Sequence, residues 1–172
     1  MNRFYIEKLV VSGGGHENSV IEFVPGFNLV VGPSNTGKSL IMDCIDYAFG
    51  FTPKSDKPSK IVDNSNGYEK ISMHLRSNAG SVVLERKIGD TKISVSGTDP
   101  TIEHDSYSVS NSAKKSINTV FLQLLGIDKP HKVLSSESGA TQALTWRSML
   151  HLFFIRQADI ARETSALKAP GG

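Results

Sequence analysis

The sequence predicts an α/β domain: a mixed sheet around one central helix, an antiparallel β-subdomain and further helices. The first observation is a strand–loop–helix unit, in which a mostly apolar run, 27–31, leads through a glycine-containing loop into a helix-like run, 38–49. The second is a set of three β-like segments, 71–75, 81–88 and 92–95, joined by short turns typical of hairpins. A doubly wound domain would continue as βαβα after the first helix, so the antiparallel unit argues against that class.

Two strands are predicted before the loop, over 3–11 and 20–24, where apolar and β-branched residues are concentrated. Pro25 and Gly26 then form a turn pair. The run 27–31 is apolar at nearly every position rather than at alternate ones. Because that is the pattern of a strand covered on both faces, we expect an interior strand there.

The helix predicted over 38–49 carries an apolar stripe at helical period, and Gly50 is a suitable terminator. The stripe consists of Ile41, Ile45 and Phe49, with Leu40, Cys44 and Ala48 alongside. Asp43 and Asp46 fall mostly on the other face, so we expect both carboxylates to be solvated.

Two more helices are predicted in the second half of the chain. The first has apolar residues at Ile117, Val120, Phe121, Leu124 and Leu125 and ends at Gly126. Thr145 is a good N-cap for the second, which has Trp146, Met149, Leu150 and Phe153 on one side and then runs out into 154–160. The polar stretches 97–113 and 128–141 are predicted to be connections.

The loop between the apolar run and the first helix reads Gly32-Pro33-Ser34-Asn35-Thr36-Gly37-Lys38-Ser39, the G-x-x-x-x-G-K-S pattern of a phosphate-binding loop. Glycines let successive backbone N–H groups surround a phosphate, and the following helix adds the positive end of its dipole. Lys38 can reach the β- and γ-phosphates, and the Ser39 hydroxyl can ligate Mg²⁺. The pattern therefore predicts nucleotide binding.

The composition fits one soluble globular domain, since 38% of the 172 residues are hydrophobic and 21% are charged. A net charge of +2 is too small to indicate nucleic-acid binding. The single cysteine, Cys44, excludes an internal disulfide, and the five histidines are scattered, so no metal cluster is predicted. The N-terminus has no signal-peptide pattern and no apolar run approaches membrane-spanning length, which predicts a cytoplasmic protein without a membrane partner.

Taken in order, these features resemble the N-terminal half of an ABC-type ATPase head from the SMC, RecF and RecN group, including its double-strand-break-repair relatives. The family commonly reads G-x-N-x-(apolar)-x-G-x-N-G-x-G-K-S/T before a helix, and residues 26–39 follow most of it. Residues 153–160, Phe-Phe-Ile-Arg-Gln-Ala-Asp-Ile, are similar to the family's apolar-apolar-x-Gln-Gly-Glu-Ile segment, the Q-loop. The resemblance predicts an N-terminal head lobe over 1–165, with 166–172 as a linker or an artificial end.

The resemblance implies ATP and Mg²⁺ as cofactors, and ATP is preferred because no N-K-x-D guanine-reading motif is found. The residues it assigns to nucleotide binding are Gly32, Asn35, Thr36, Gly37, Lys38, Ser39 and Leu40. Lys38 and Gln157 would take the catalytic roles, and Ser39 and Gln157 would approach the metal and the γ-phosphate.

The sequence also departs from the family pattern. Thr36 stands where Ser or Ala is usual, and Ala158-Asp159 replaces Gly-Glu. Many relatives carry Arg or Lys after the first strand, whereas Gly13-Gly14-Gly15-His16 occupies that region here. These differences predict a divergent branch, of bacterial type.

The 172 residues contain no apolar strand ending in Asp-Glu after the Q-loop-like segment, and hence no Walker B pair. In the family, that pair and the signature motif follow a long coiled coil. The resemblance therefore implies a truncated lobe or one half of a split head, inactive alone. Its partner would be the C-terminal half of its own head or a second head, in an ATP-dependent dimer. The complete protein would couple ATP hydrolysis to work on DNA in repair, chromosome organisation or defence.

Two alternatives stay open from the residues alone. A stand-alone P-loop kinase of a small molecule would need a lid of arginines, for which Arg147, Arg156 and Arg162 are candidates. A non-catalytic module could use ATP only to order a partner interface. Separately, a lysine-containing polar stretch, 51–68, is predicted to be a flexible loop or a phosphate-backbone contact.

Overall fold

The computed structural model describes residues 3–15, 17–53, 61, 67–129, 131–134, 139–150 and 152–155. These residues form eight strands and three helices. The strands are β1 (Phe4–Ser12), β2 (Ser19–Glu22), β3 (Lys70–Ser77), β4 (Ser81–Lys87), β5 (Lys92–Gly97), β6 (Asp105–Ser108), β7 (Lys132–Leu134) and β8 (Thr141–Ala143). The helices are α1 (Lys38–Ala48), α2 (Ile117–Leu124) and α3 (Trp146–Leu150). No helix within the described ranges is long and apolar enough to cross a membrane.

Six strands form one antiparallel sheet in the order β2-β1-β3-β4-β5-β6. The pleat places alternate residues of each strand on one face, and in β4 the side chains of Val82, Leu84 and Arg86 are all buried. Leu84 pairs with Met73 of β3 and with Val95 of β5, so three apolar side chains lie side by side. That face forms one side of the hydrophobic core. Strands β7 and β8 pair with each other in a second, two-stranded sheet.

The helices pack on the buried face of the sheet, and aromatic rings connect the helices to one another. Phe49 at the end of α1 packs edge-on against Phe121 of α2 at 5.3 Å between ring centroids. Trp146, the first residue of α3, lies 5.1 Å from Phe49 and 5.2 Å from Phe121. Such tilted and edge-on ring pairs add to the burial term, so this cluster fixes the mutual position of the three helices.

A buried cation joins α1 to the sheet. Arg86 is 2% exposed and its guanidinium lies 3.7 Å from the centre of the Tyr47 ring. It donates to the carbonyls of Tyr47 and Phe51, each at 2.7 Å, and to that of Asp90 at 2.8 Å. Desolvation lowers the pKa of Arg86, and the carbonyls at the end of α1 supply the partial negative charge that offsets its burial.

Most predicted elements are confirmed. The helix 38–49 is α1, the three hairpin-like segments are β3, β4 and β5, and the first of the later helices is α2. β6, β7 and β8 were not predicted: β6 and β8 are mostly polar, and β7 and β8 are only three residues long, too short for an alternating pattern. In β6 only Tyr107 is buried, as expected of a short strand at a sheet edge that has one face in water.

The strand predicted over 27–31 is wrong: those residues are irregular and exposed. None of them pairs with a strand of the described part of the chain, and a strand needs such a neighbour for its backbone hydrogen bonds. The described sheets are antiparallel, so they do not supply the expected mixed sheet around α1.

Two helix predictions also need correction. Asp46 is 5% exposed rather than solvated, because 44–48 are all buried and the second half of α1 is therefore covered on every side. The last helix, α3, ends at Leu150 instead of continuing: residues 152–155 are turn and irregular, and 156–160 lie outside the described residues.

Candidate nucleotide-binding site

The predicted phosphate loop leads directly into the start of α1. Gly37 is the N-cap residue, with φ 84°, and no side chain caps the helix. Asn35 is the one described residue other than glycine with a positive φ, at 64°. Asn and Gly tolerate this left-handed conformation, which turns the chain sharply ahead of the helix. The first-turn N–H groups have no intrahelical partners and no capping side chain, which leaves donors suited to an anion.

Lys38 folds back over the loop. Its ammonium group donates to the carbonyl of Gly32 at 2.7 Å and to that of Pro33, and lies 3.3 Å from the Thr36 hydroxyl. The Thr36 hydroxyl donates to the Pro33 carbonyl at 2.8 Å. The cation is therefore held at the mouth of the loop, where a phosphate bound by the helix N-terminus would meet it.

Gly32 allows the loop to close on itself. A Cβ at this position would lie 3.0 Å from the Thr36 hydroxyl oxygen, closer than ordinary van der Waals contact. A larger residue would push Thr36 away from the Pro33 carbonyl and widen the loop. Packing therefore favours a glycine at this position, in addition to the match with the phosphate-loop pattern.

A turn built around Asn28 leads into the loop. The Asn28 side chain accepts from the Val24 N–H at 2.9 Å and donates to the Val24 and Gly26 carbonyls at 2.8 and 3.1 Å. Gly26 has φ 93°. The sequence pattern identified the Asn only as part of the family match, and its role as the organiser of this turn was missed.

An apolar pocket of about 270 Å³ opens beside the loop, between α1 and the β1–β2 end of the sheet. Thr36, Gly37 and Leu40 line it from the loop side, and Leu9 and Ile21 line it from the sheet. Cys44 also faces the pocket; burial, with a smaller contribution from Asp43, raises the pKa of its thiol to about 12. The thiol therefore stays protonated at neutral pH and acts as a small apolar wall.

The structure brings together one group of the predicted site residues. Gly32, Asn35, Thr36, Gly37, Lys38, Ser39 and Leu40 form one continuous loop and helix start. Gln157 lies outside the described residues, as do Arg156 and Arg162 and the lysines Lys54, Lys57 and Lys60. Arg147 binds Asp46 in the second half of α1, so it does not act as a lid over the loop.

The residues present fit a nucleotide phosphate with its metal. The loop offers uncapped helix N–H groups and the Lys38 cation, and the Ser39 hydroxyl is the oxygen that could hold Mg²⁺. Within the described residues there is no group of three or more His, Cys, Asp or Glu side chains that could hold a metal without the phosphates. Mg²⁺ commonly keeps few protein ligands and shares phosphate oxygens, which matches this set.

A protein family described as an AAA domain matches residues 13–168, which include the whole of this loop. The chain belongs to this AAA-domain family. The match spans most of the chain and includes all three helices and every strand after β1.

Two curated relatives carry names that agree with the predicted resemblance. A DNA double-strand break repair Rad50 ATPase from Thermoplasma volcanium is 29% identical over 114 residues, which is 66% of this chain and 13% of the relative. A chromosome partition protein Smc from Thermoplasma acidophilum is 32% identical over 92 residues, 49% of this chain and 8% of the relative. The resemblance to SMC- and Rad50-like ATPases is thus confirmed, while the chain matches only a small fraction of either relative's length.

Proposed function

We propose that residues 32–39 bind the phosphates of ATP with Mg²⁺, and that this chain is the nucleotide-binding lobe of an SMC-like ATPase. The observation that carries the proposal is the position of Lys38, whose ammonium lies against the loop carbonyls beside an uncapped helix N-terminus. A phosphate there would replace the contacts of the ammonium with neutral carbonyls by contacts between opposite charges, in which both donor and acceptor are ionised.

Each residue of the loop has a distinct part in this proposal. Asn35 and Gly37 hold the left-handed turns that aim the backbone N–H groups, and Lys38 neutralises phosphate charge. Ser39 would supply one oxygen to the metal, and Gln157 would approach the metal and the γ-phosphate from its own segment. The apolar pocket that Thr36, Gly37 and Leu40 line beside the loop is the position proposed for the nucleotide's base.

The exposed run 27–31 supports the second half of the proposal, that the site is completed by another lobe. Phe27, Leu29 and Val31 are 84%, 71% and 77% exposed. Side chains of this kind in sequence gain free energy when they are covered, at about 25 cal/mol per Å² of apolar area. We infer that the C-terminal half of the head or a second head covers them, and that head engagement serves work on DNA in the complete protein.

The binding part can be tested by titrating Mg²⁺–ATP into the chain by calorimetry. Lys38→Ala should raise the dissociation constant by about tenfold or more, because charge-assisted hydrogen bonds contribute roughly 1.5–3 kcal/mol. Lys114→Ala, which removes an exposed lysine away from the loop, is the matched control and should bind as the parent does. Equal affinities for the parent and Lys38→Ala would contradict a phosphate site at this loop.

The partner part can be tested by gel filtration of the chain with and without ATP, alone and mixed with a separately produced C-terminal half. Association that requires both ATP and the C-terminal half supports the split-head proposal. Association of the chain with itself on ATP addition would exclude the need for the C-terminal half; it would favour a second copy as the cover, or the nucleotide-gated interaction module.

A further inference from the structure

One partly buried ion pair links the phosphate-loop helix to the last helix of the described chain. Arg147 of α3 donates through Nη1 to Oδ1 of Asp46 in α1, a contact between positions 101 residues apart. Asp46 is 5% exposed, so most of its carboxylate lies out of water. The Arg147 guanidinium also lies 5.4 Å from the centre of the Phe51 ring, just beyond the end of α1.

The residue next to Arg147 strengthens the same link. The ring of Trp146 packs against Phe49 at 5.1 Å, and its backbone N–H donates to the side chain of Asn118 in α2. The indole Nε1 is buried without a hydrogen-bond partner among the described groups. Residues 146 and 147 therefore hold the start of α3 against the second half of α1 through one aromatic and one charged contact.

The geometry of α1 makes this link relevant to the nucleotide. Lys38 begins the helix and Asp46 lies eight positions later, about 12 Å along a rigid rod at 1.5 Å per residue. A shift of α1 caused by a ligand at its N-terminus would therefore reach Asp46 with little loss. On the other side, α3 directly precedes 152–160, the stretch that contains Gln157.

We propose that the Asp46–Arg147 pair is a positioning contact that transmits nucleotide occupancy of the loop to α3, and so to the segment that follows. The proposal rests on the proposed nucleotide binding. A charged and directional contact with a buried carboxylate suits this task better than apolar packing, because it is lost steeply when either partner rotates. Neither residue need touch the nucleotide.

The fluorescence of Trp146 can report on the pair, because Trp146 is the one tryptophan of the chain and precedes Arg147 in the sequence. We expect Trp146 emission to change when Mg²⁺–ATP is added to the parent chain. Asp46→Asn keeps the shape of the side chain and removes its charge. It should bind Mg²⁺–ATP within about threefold of the parent by calorimetry and lose about half or more of the emission change, because the coupling between the loop and α3 is weakened.

A second variant guards against a folding defect. Arg147→Lys keeps the positive charge but not the planar fork that reaches Asp46 and Phe51, and we expect an intermediate emission change. The matched control is Arg76→Lys, which alters an exposed arginine that binds Glu7 at 2.8 and 3.0 Å on the sheet. It should respond to Mg²⁺–ATP as the parent does, and circular dichroism should show all three variants folded.

The outcomes separate this inference from the proposed function. If calorimetry shows binding to the parent and Trp146 emission does not change, the inference fails and the nucleotide site stands. If folded Asp46→Asn gives the full emission change, the pair carries no coupling and the inference also fails. If calorimetry shows no binding to the parent, the proposed function itself fails, and the inference with it.

Discussion

The strand β4 and the run 27–31 are both rich in strand-forming residues, yet they end in opposite environments. Val82 and Leu84 of β4 are each 1% exposed, whereas Phe27 is 84% exposed and Leu29 is 71% exposed. β4 lies between two hydrogen-bonded neighbours, β3 and β5. The run 27–31 has no such neighbour in the described part of the chain and is shaped by the Asn28 turn instead.

The difference shows that an apolar pattern identifies residues that are stabilised by burial, but it does not identify which part of the molecule buries them. The strands of the sheet are covered within the chain: sequential neighbours pair as β1–β2, β3–β4, β4–β5 and β5–β6, and the long-range β1–β3 pairing joins them. The run 27–31 pairs with no strand of the described part of the chain. Among the described residues, the run that leads into the predicted phosphate loop thus leaves several large apolar side chains uncovered, in line with the proposed second lobe.

Matched leucine substitutions give the largest expected contrast between the two regions. Leu84→Ala should lower the free energy of unfolding by about 3 kcal/mol, from lost apolar burial and the cavity left behind. Leu29→Ala should change it by less than about 0.5 kcal/mol, as is usual for exposed positions. Urea unfolding followed by circular dichroism measures both. Similar losses for the two variants would mean that 27–31 is covered in solution and would break the comparison.

A second test removes the cation that joins α1 to the sheet. Arg86→Leu should cost about 2 kcal/mol, because it leaves the carbonyls of Tyr47, Phe51 and Asp90 without their buried donor. The control is Arg76→Leu at an exposed ion pair, where the shift of the urea midpoint should be clearly smaller. An Arg86→Leu midpoint equal to that of the parent would show that the buried hydrogen bonds contribute nothing net.

The smallest expected effect is a pH-dependent change in the free energy of unfolding that Asp99, just after β5, contributes. Burial alone would raise the pKa of Asp99, but hydrogen bonds from Ser77 and Thr101 outweigh it and hold the pKa below its ordinary 3.8. Because the folded pKa lies below the unfolded one, this stabilisation is present above about pH 4 and is lost as the pH falls through the folded value. The stability difference between the parent and Asp99→Asn should therefore shrink between pH 6 and pH 3. A constant difference over that range would contradict the assigned hydrogen bonds.

The sequence predicted those helices and strands whose own periodicity of apolar residues determines which face is buried. The period of 38–49 and the alternation of 81–88 identified α1 and β4, because each element buries its apolar positions against adjacent structure. β6 could not be found this way, since three of its four residues are polar and only its pairing with β5 defines it. The conformation of 27–31 was mispredicted for the opposite reason: the pattern is typical of a strand, but the described residues supply no strand that pairs with it.

The site was predictable to the extent that it lies in one contiguous stretch. The spacing from Gly32 to Ser39 selected the loop, and the structure adds the left-handed turns and the Lys38 contacts. The link between Asp46 and Arg147 could not be predicted, because the periodicity of α1 placed Asp46 on its polar face. Only the packing of α3 and the aromatic cluster shows that this face is covered.

The most direct test of the central claim, that this chain holds the nucleotide-binding half of a site completed elsewhere, is phosphate release from Mg²⁺–ATP by the 172-residue chain alone. We predict binding without turnover, with a rate no higher than that of Lys38→Ala, because no Asp-Glu pair follows an apolar strand in these residues to polarise water. Robust turnover that Lys38→Ala abolishes would contradict the claim and show that the chain is a complete enzyme.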